Sequence, residues 1–411
     1  MSAKNQAVQG NWKKNIILFL GSQTISLFGS SLVQYAIMWH ITLSTQSGLM
    51  MTFYILAAFL PTFLLSPFAG VWADRYNRKR LIIISDGMIA LATLLLAILY
   101  LLGYDPLWLL FVIAAVRALG GGVQVPTVSA ILPQIVPEEK LTQVNGANGS
   151  IQALITLLGP MASGALMTFT PLETIFFIDV LTAAIAILIL MIWLHIPDHE
   201  KAAQQQSTGY FDDFKQGLVY INSQRYLKQF FLFFALFFVL AAPVSFLTPL
   251  QVTRSFGPDV WRLTAIEVSF SIGMMLGGIV IAAWGGFKNR THTMALASLL
   301  FGFCTFALGV IPNFWVYLAF MATIGITMPM FQTPSTVLLQ EKVEGNYLGR
   351  VFGVVGMIST SMMPLGMLIF GPLADLIPVE WMLIGTGVVL FFLSFVLVGS
   401  KELVKAGQPA R

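Results

Sequence analysis

A succession of twelve apolar stretches constrains this chain more than any other feature of its sequence. Each stretch is long enough, at about 1.5 Å per helical residue, to cross about 30 Å of hydrocarbon. Because lipid offers no partners to backbone polar groups, each stretch is expected to be an α-helix. We therefore predict an all-α integral membrane protein with transmembrane helices near residues 16–40, 48–72, 81–102, 107–131, 145–169, 174–195, 229–251, 263–284, 293–311, 313–333, 352–376 and 380–399.

The composition leaves no room for a large water-soluble domain, since 57% of the residues are hydrophobic and 10% are charged. The one cysteine, Cys304, lies in an apolar stretch and has no second cysteine for an intrachain disulfide. The first apolar stretch is too long for a signal-peptide core, so we expect it to be an uncleaved span.

The positions of Lys and Arg predict the orientation of the chain in the membrane. If the amino terminus is cytoplasmic, nineteen of the 22 cations fall in cytoplasmic segments, two, Arg254 and Arg262, fall outside, and Arg117 is embedded. Positive charge is retained on the cytoplasmic side of a membrane. We therefore expect both termini to be cytoplasmic, and the net charge of +4 reflects topology, so no nucleic-acid partner is predicted.

One long polar segment, residues 196–228, divides the chain into two halves. We expect an N-terminal six-helix bundle over 1–195, a cytoplasmic linker over 196–228 and a C-terminal six-helix bundle over 229–411. The linker is expected to contain an amphipathic helix at the membrane surface, because apolar residues recur in it at helical spacing. These residues are Phe211, Phe214, Leu218 and Ile221.

The two halves also share a sequence pattern. Six Gly, Leu and Val positions around the fifth span recur around the eleventh at a constant offset of 207, for example Gly159 with Gly366. Chance matches among such common residues are one explanation. The other is a duplicated six-helix unit, which fits a transporter whose halves rock around a central site.

The loop between the second and third stretches holds five charged residues within seven positions. Its spacing of a glycine, an acid and several cations resembles the loop between the second and third helices of the major facilitator superfamily of transporters. The candidate gating residues are Gly70, Asp74, Arg75, Arg78 and Lys79. Trp72 and Asn77 depart from the family pattern, and Asn is a residue that tolerates a left-handed turn. The alternative is that the cations mark topology only.

This resemblance implies a two-bundle fold that works by alternating access. In the family, Asp74 and the nearby arginines would form a charge network against the cytoplasmic end of the eleventh helix. That network would hold the intracellular gate shut while the other side is open.

Three ionisable residues inside predicted spans are candidates for proton coupling, because embedded charges are costly. Arg117 precedes clustered glycines and resembles the fourth-helix motif of the family, which is associated with proton coupling; the alternative is pairing with backbone carbonyls. Asp179 and Glu267 lie about one turn inside the external boundary, where partial desolvation suits a carboxylate to proton exchange. The alternative for both is contact with headgroup water or a helix cap. Asp86 is expected to pair with the basic loop.

Polar stripes at helical spacing predict which spans line a central cavity. The first span carries one such stripe, and the fifth carries Asn145, Asn148, Gln152 and Thr156. Unpaired amides avoid hydrocarbon, so these faces meet water or other helices. The candidate cavity-lining residues are Gln23, Ser26, Ser30, Gln34, Gln124 and Gln152, and hydrogen bonding between helices is the alternative.

The fifth span also resembles the antiporter motif that distinguishes exporters within the superfamily. Its matching residues are Gly146, Gly159, Pro160 and Gly164, while Ile155 and Ser163 stand where the motif has glycines. Small residues let helix backbones approach, and a proline leaves a helix bendable.

Four further segments are similar to the macrolide efflux proteins of the superfamily: residues 11–13, 137–142, 340–342 and 347–352. The resemblance implies a proton-driven antiporter that exports bulky amphipathic drugs from a bacterial cytoplasmic membrane, acting as a monomer and without a cofactor or metal. A siderophore, a lysolipid or another native metabolite is the alternative substrate. A membrane enzyme is disfavoured, since the zinc, serine-hydrolase and phosphate-loop motifs do not occur.

Overall fold

The computed structural model describes residues 12–194 and 210–408. These residues form helices and connecting turns, without a β-strand in the described ranges. Within these ranges, twelve helical segments are long and apolar enough to cross a membrane. The predicted all-α fold with twelve transmembrane helices is confirmed.

The helices follow one another along the chain with short connections. The first half contains α1 Trp12–Thr45, α2 Gly48–Arg75, α3 Arg78–Leu101, α4 Leu107–Ile135, α5 Leu141–Phe169 and α6 Leu172–Ile192. The second half contains α7 Tyr210–Ser223, α8 Arg225–Phe246, α9 Thr248–Ser255, α10 Val260–Trp284, α11 Arg290–Leu308, α12 Phe314–Lys342, α13 Gly345–Leu373, α14 Val379–Gly399 and α15 Lys401–Ala406. The seventh span consists of α8 with α9.

The chain separates into two compact units. The first comprises Met1–His40 with Phe53–Gln205, and the second comprises Ile41–Thr52 with Gln206–Arg411. Within the first unit, α3 packs on α4 and α6; within the second, α11 packs on α12 and α14, and α13 packs on α8. The domain limits given by the sequence stay a prediction.

Helix α7 forms where the sequence predicts an amphipathic helix, and it packs on α13 within the second unit. The rings of Tyr220 and Tyr347 stack with centroids 4.2 Å apart. Ile221 is buried, whereas Leu218 is 43% exposed, so the predicted apolar residues are not equally covered. The side chains of Phe211 and Phe214 lie outside the described part of the chain.

An asparagine starts a transmembrane helix at the corresponding loop of each half. The Asn77 side chain accepts a hydrogen bond from the backbone amide of Arg80 at 3.1 Å, and Asn289 accepts one from Thr291 at 3.0 Å. Asn77 has φ −64° and ψ 114°, so its tolerance of a left-handed turn is not used here. Asn is used here because its side chain satisfies a free amide at the helix start.

Glycines allow close helix contacts inside each unit. A β-carbon at Gly159 on α5 would overlap the Ser31 hydroxyl of α1. A β-carbon at Gly366 on α13 would lie 2.8 Å from the Val239 carbonyl oxygen of α8. The two glycines are one repeat apart and pack on the first span of their own half, which supports an internal duplication.

The seam between α10 and α12 has the small-residue spacing typical of membrane helix pairs. Gly273 and Gly277 are four positions apart, and β-carbons there would overlap the carbonyl oxygens of Ala322 and Ile326. Backbone atoms cannot move aside as a flexible side chain can. The close approach of these two helices therefore depends on both glycines.

We expect Gly273→Ala to lower the free energy of unfolding by about 1–3 kcal/mol, because the added methyl group forces the two helices apart. Gly278→Ala is the matched control, since nothing lies within 4 Å of a β-carbon at that position. Thermal unfolding of both variants in detergent checks this. Equal stability of the two variants would contradict the close contact.

Candidate functional site

A buried ion pair between Arg117 and Asp179 joins four helices of the first unit. The Arg117 guanidinium on α4 donates to the Asp179 carboxylate on α6 and to the Thr93 hydroxyl on α3. It also donates to the Ser30 carbonyl oxygen on α1 at 3.2 Å, and the Ser30 hydroxyl donates to Asp179 at 3.2 Å. The exposed fraction of the side chain is 10% for Arg117 and 0% for Asp179.

Glycines bring the four helices close enough for this pair to form. A β-carbon at Gly29 on α1 would overlap the Thr182 hydroxyl and lie 3.1 Å from an Asp179 carboxylate oxygen. A β-carbon at Gly120 on α4 would lie 2.6 Å from the Ile89 side chain of α3. Gly120, the first glycine after Arg117, therefore has a packing role beside the charge.

A second buried polar cluster surrounds Asp86 on α3. One carboxylate oxygen of Asp86 accepts a hydrogen bond from Gln124 at 2.6 Å and one from Ser26 at 3.4 Å. The Gln124 amide nitrogen also lies 3.4 Å from the Gln23 amide oxygen. Asp86 forms no ion pair within the described ranges, so the expectation that it pairs with the basic loop is wrong. Because α3 begins at Arg78, Asp86 lies deeper in the span than the sequence prediction had it.

Two cations of the basic loop, Arg78 and Lys79, donate to carbonyl oxygens in or just beyond the last turns of neighbouring helices. Arg78 donates to the carbonyl oxygens of Ala73 at 2.8 Å and Ala130 at 2.6 Å. Lys79 donates to the carbonyl oxygen of Leu194 at 2.7 Å, just beyond the end of α6. Cations suit helix carboxyl ends because the free carbonyl groups there carry partial negative charge. The start of α3 is therefore bound to α2, to α4 and to the chain just after α6 within the first unit.

The other candidate gating residues lie in the last turns of α2. Arg75 is exposed at the end of α2. Gly70 and Asp74 belong to α2, but their side-chain surroundings lie outside the described part of the chain. The gating role of the motif stays a prediction.

The polar stripe of α1 is divided between two environments. Gln23 and Ser26 are buried beside Asp86, and Ser30 contacts the ion pair, so hydrogen bonding between helices describes these three residues. Gln34 is exposed. On other helices, Gln124 is buried and Gln152 is exposed. The cavity-lining role stays a prediction, and Gln34 and Gln152 are the members that the first unit leaves accessible.

The antiporter-like segment of α5 packs on α1. Gly159 faces Ser31, as described above, and the Ser163 hydroxyl donates to the Leu32 carbonyl oxygen at 3.0 Å. Pro160 and Gly164 are buried in the same stretch, whereas Gly146 is exposed near the start of the helix. Ser163, which replaces a glycine of the motif, therefore adds a hydrogen bond to a small-residue contact.

Asp375, which sequence reasoning missed, caps the start of α2 within the second unit. Its carboxylate accepts hydrogen bonds from the Ser47 hydroxyl at 2.7 Å and from the amides of Gly48 at 2.7 Å and Leu49 at 3.0 Å. Arg254 lies 3.3 Å away and also binds the Gln46 carbonyl oxygen. Ser47 and Asp375 are 328 positions apart, so no local signal connects them.

Partial burial alone would raise the pKa of Asp375. The hydrogen bonds from Ser47, Leu49 and Gly48 and the nearby Arg254 guanidinium outweigh that effect and hold the pKa below its ordinary value.

Comparison with known proteins connects this arrangement to a family. Residues 16–367 match the family model described as Major Facilitator Superfamily. The chain belongs to the Major Facilitator Superfamily. It is therefore a multi-pass membrane transporter, and its fold of two six-helix bundles is the fold of this superfamily.

Two named relatives and one solved structure illustrate the similarity to superfamily members. Macrolide efflux protein A of Streptococcus pyogenes is 28% identical over 397 residues, which cover 96% of this chain and 98% of that protein. The Staphyloferrin A transporter of Staphylococcus aureus is 23% identical over 394 residues, covering 94% and 97%. A crystal structure of a mutant of the peptide transporter POT with alafosfalin has a TM-score of 0.72 at 13% identity and covers 100% of both chains.

The structure brings together two of the three embedded candidates for proton coupling in this superfamily member. Arg117 and Asp179 contact each other, and the Asp179 side chain is fully buried. The alternative for Arg117, pairing with backbone carbonyls, describes only its contact with Ser30. Glu267 lies in α10 of the second unit and is partly buried. Coupling of any of them to protons stays a prediction.

We expect Asp179→Asn to destabilise the protein by about 3–5 kcal/mol, because it leaves the Arg117 charge buried without a counterion. Adding Arg117→Met removes that charge, so the double variant is expected to be more stable than Asp179→Asn alone. Thermal unfolding of the two single variants and the double variant measures this coupling. Strictly additive effects would contradict a direct pair.

The Asp375 cap predicts a pH-dependent stability. A carboxylate whose folded pKa is lowered contributes stability above its ordinary pKa, and that contribution is lost as the pH falls through the folded pKa. We expect Asp375→Asn to lower stability at neutral pH by about 0.3–1 kcal/mol, the usual size for a carboxylate at a helix start. The difference from the wild type should vanish in strong acid. Thermal unfolding across pH tests this, and a constant difference would refute the cap.

Proposed function

We propose that this protein is a secondary active exporter of amphipathic drugs such as macrolides, driven by proton antiport. The observation that carries the proposal is the Arg117–Asp179 pair, which is buried among four helices of a membrane transporter. Charged side chains inside a bilayer cost free energy, and those that are present usually have a function. The relation to Macrolide efflux protein A over almost the whole chain supports the substrate class.

A proton would act on this pair by releasing Arg117 from Asp179. The neutral acid no longer balances the charge of the guanidinium. The ion pair that joins α1, α3, α4 and α6 is therefore weakened. A ligand shifts a conformational equilibrium by its differential affinity for the two states. Proton binding at Asp179 would thus favour one state of the alternating-access cycle, and substrate would favour the other.

Glu267 is proposed as the corresponding carboxylate of the second half. It lies in α10 and is partly buried. The gate motif with Asp74 is proposed to close the cytoplasmic side, and the antiporter-like segment of α5 to let this helix move against α1. The small contact at Gly159 suits such movement, because few side-chain atoms interlock there.

The substrate site is proposed to be an apolar cavity lined with a few amide groups. Gln34 and Gln152 are accessible amides in the first half. The chain contains 19 Met and 33 Phe, and Met side chains adapt to ligands of different shape. This combination suits a large amphipathic molecule better than a small polar one.

Export of a siderophore by the same mechanism is the second candidate function. The relation to the Staphyloferrin A transporter favours it. A lysolipid or another native metabolite would use the same machinery. In every case we propose a monomer in a bacterial cytoplasmic membrane with both termini in the cytoplasm.

Proton movement driven by substrate tests the proposed function. The protein is reconstituted in liposomes that contain a pH-sensitive dye, a proton gradient is imposed, and a macrolide, a cationic dye, a lysolipid and a siderophore are added in turn. We expect proton flux with the macrolide or the dye. The flux should fall at least tenfold in the double variant Arg117→Met with Asp179→Asn and persist in Asp105→Asn, an exposed control in the loop before α4.

Each other outcome has a distinct meaning. Flux only with the siderophore would favour the second candidate function. Macrolide export without proton flux would contradict proton coupling. Flux that survives in the double variant would contradict the role of the Arg117–Asp179 pair.

A further inference from the structure

Two polar layers cross the first unit, two helical turns apart. Each of three helices contributes one residue to each layer: Gln23 and Ser30 on α1, Asp86 and Thr93 on α3, and Gln124 and Arg117 on α4. The members of every pair are seven positions apart, which corresponds to about 10.5 Å along a helix. The layer at Arg117 contains the ion pair described above, and the layer at Asp86 is chemically different.

The Asp86 layer contains unused hydrogen-bonding groups. The Asp86 side chain is 1% exposed, and one of its oxygens accepts from Gln124 and Ser26. The other oxygen has no hydrogen-bond partner, and neither does the amide nitrogen of Gln23. A buried carboxylate normally has both oxygens satisfied, because an unmet acceptor costs about 1–3 kcal/mol.

This layer also has no positive charge to balance an ionised carboxylate. Among the charged residues of the described ranges, Arg117 on α4 lies two helical turns from Gln124 and binds Asp179 on α6. On α3 itself, Lys79 lies seven positions from Asp86 and donates to the Leu194 carbonyl oxygen. Helix α1 contributes the neutral residues Gln23 and Ser26. At the same depth α6 has a buried alanine, Ala186. The two layers thus hold one acid each but only one cation.

We propose that Asp86, together with Gln124, Gln23 and Ser26, forms a second proton-binding site, separate from the Arg117–Asp179 pair. The proton binds the carboxylate oxygen that has no donor, while the other oxygen keeps its bond from Gln124. When the proton leaves for water, the anion requires a further donor. The unused amide nitrogen of Gln23 is the group in the cluster that can supply it.

The arrangement of donors favours a proton over a sodium ion. A metal cation needs several oxygen ligands directed at it. At Asp86, the hydrogen atoms of Gln124 occupy one carboxylate oxygen, and the Gln124 nitrogen is directed toward the Gln23 oxygen as well. The Gln124 amide directs its N–H groups at the Asp86 oxygen and at the Gln23 oxygen. A cation placed between these two oxygens would be repelled by the N–H groups, whereas a neutral carboxyl group is accommodated.

This inference rests on the proposed function only for the use of the proton in transport, since binding itself requires no substrate. Infrared difference spectroscopy therefore tests it directly. The purified wild-type protein in liposomes is compared in acidic and alkaline buffer, and the carbonyl band of a protonated carboxyl group is followed. We expect a band that disappears in Asp86→Asn and persists in the double variant Arg117→Met with Asp179→Asn.

A second variant keeps the test decisive if Asp86→Asn does not fold. Gln124→Leu retains the acid but removes its shortest hydrogen bond, so the band should move in frequency. A band that is unchanged in both variants would overturn the proposal, as would a response to sodium at constant pH. If the band follows Asp86 while no substrate drives proton flux, the proton site stands and the proposed export fails.

Discussion

The lack of hydrogen-bond partners in lipid is the constraint on which this structure depends. It makes every span a helix, and it makes an embedded polar side chain without a partner inside the protein costly. Arg117 and Asp179 bind each other, and Ser30 and Thr93 add further hydrogen bonds to the pair. Four helices are thereby fixed around one charge pair, and the orientation of each helix follows from the residue that it contributes.

Small residues supply the second part of the architecture. Lipid tails are as apolar as leucine, so helices in a membrane gain little by hiding hydrophobic surface from it. Close backbone contact between helices stabilises their packing instead of hydrophobic burial, as at Gly273 in the second unit and Gly29 in the first. Gly29 also lets α1 and α6 approach closely enough for the Ser30 and Asp179 side chains to form a hydrogen bond. Packing and electrostatics are therefore not independent in this protein.

The sequence predicts the number and nature of the spans because hydrophobic length is a local property. It also identifies Arg117 and Asp179 as embedded charges, but it does not pair them, since 62 positions separate them. Asp86 is assigned the wrong partner because nearness to the basic loop along the chain suggested contact with it. Asp375 is missed because its role depends on a helix start 327 positions away. Contacts between helices, unlike the helices themselves, are not encoded in any one stretch.

The loops before α3 and α11 both start a helix with an asparagine, but they differ in the charged residues around it. Asn77 is surrounded by cations and follows an acid, whereas Asn289 lies in a segment without that acid. The side chain of each nevertheless caps the start of a span by accepting a hydrogen bond from a backbone amide. If the halves arose by duplication, the copies have kept what the helix needs to begin and diverged in the charges around it. The loop before α11 would then show that the charged motif can be lost while the asparagine that starts the helix is kept.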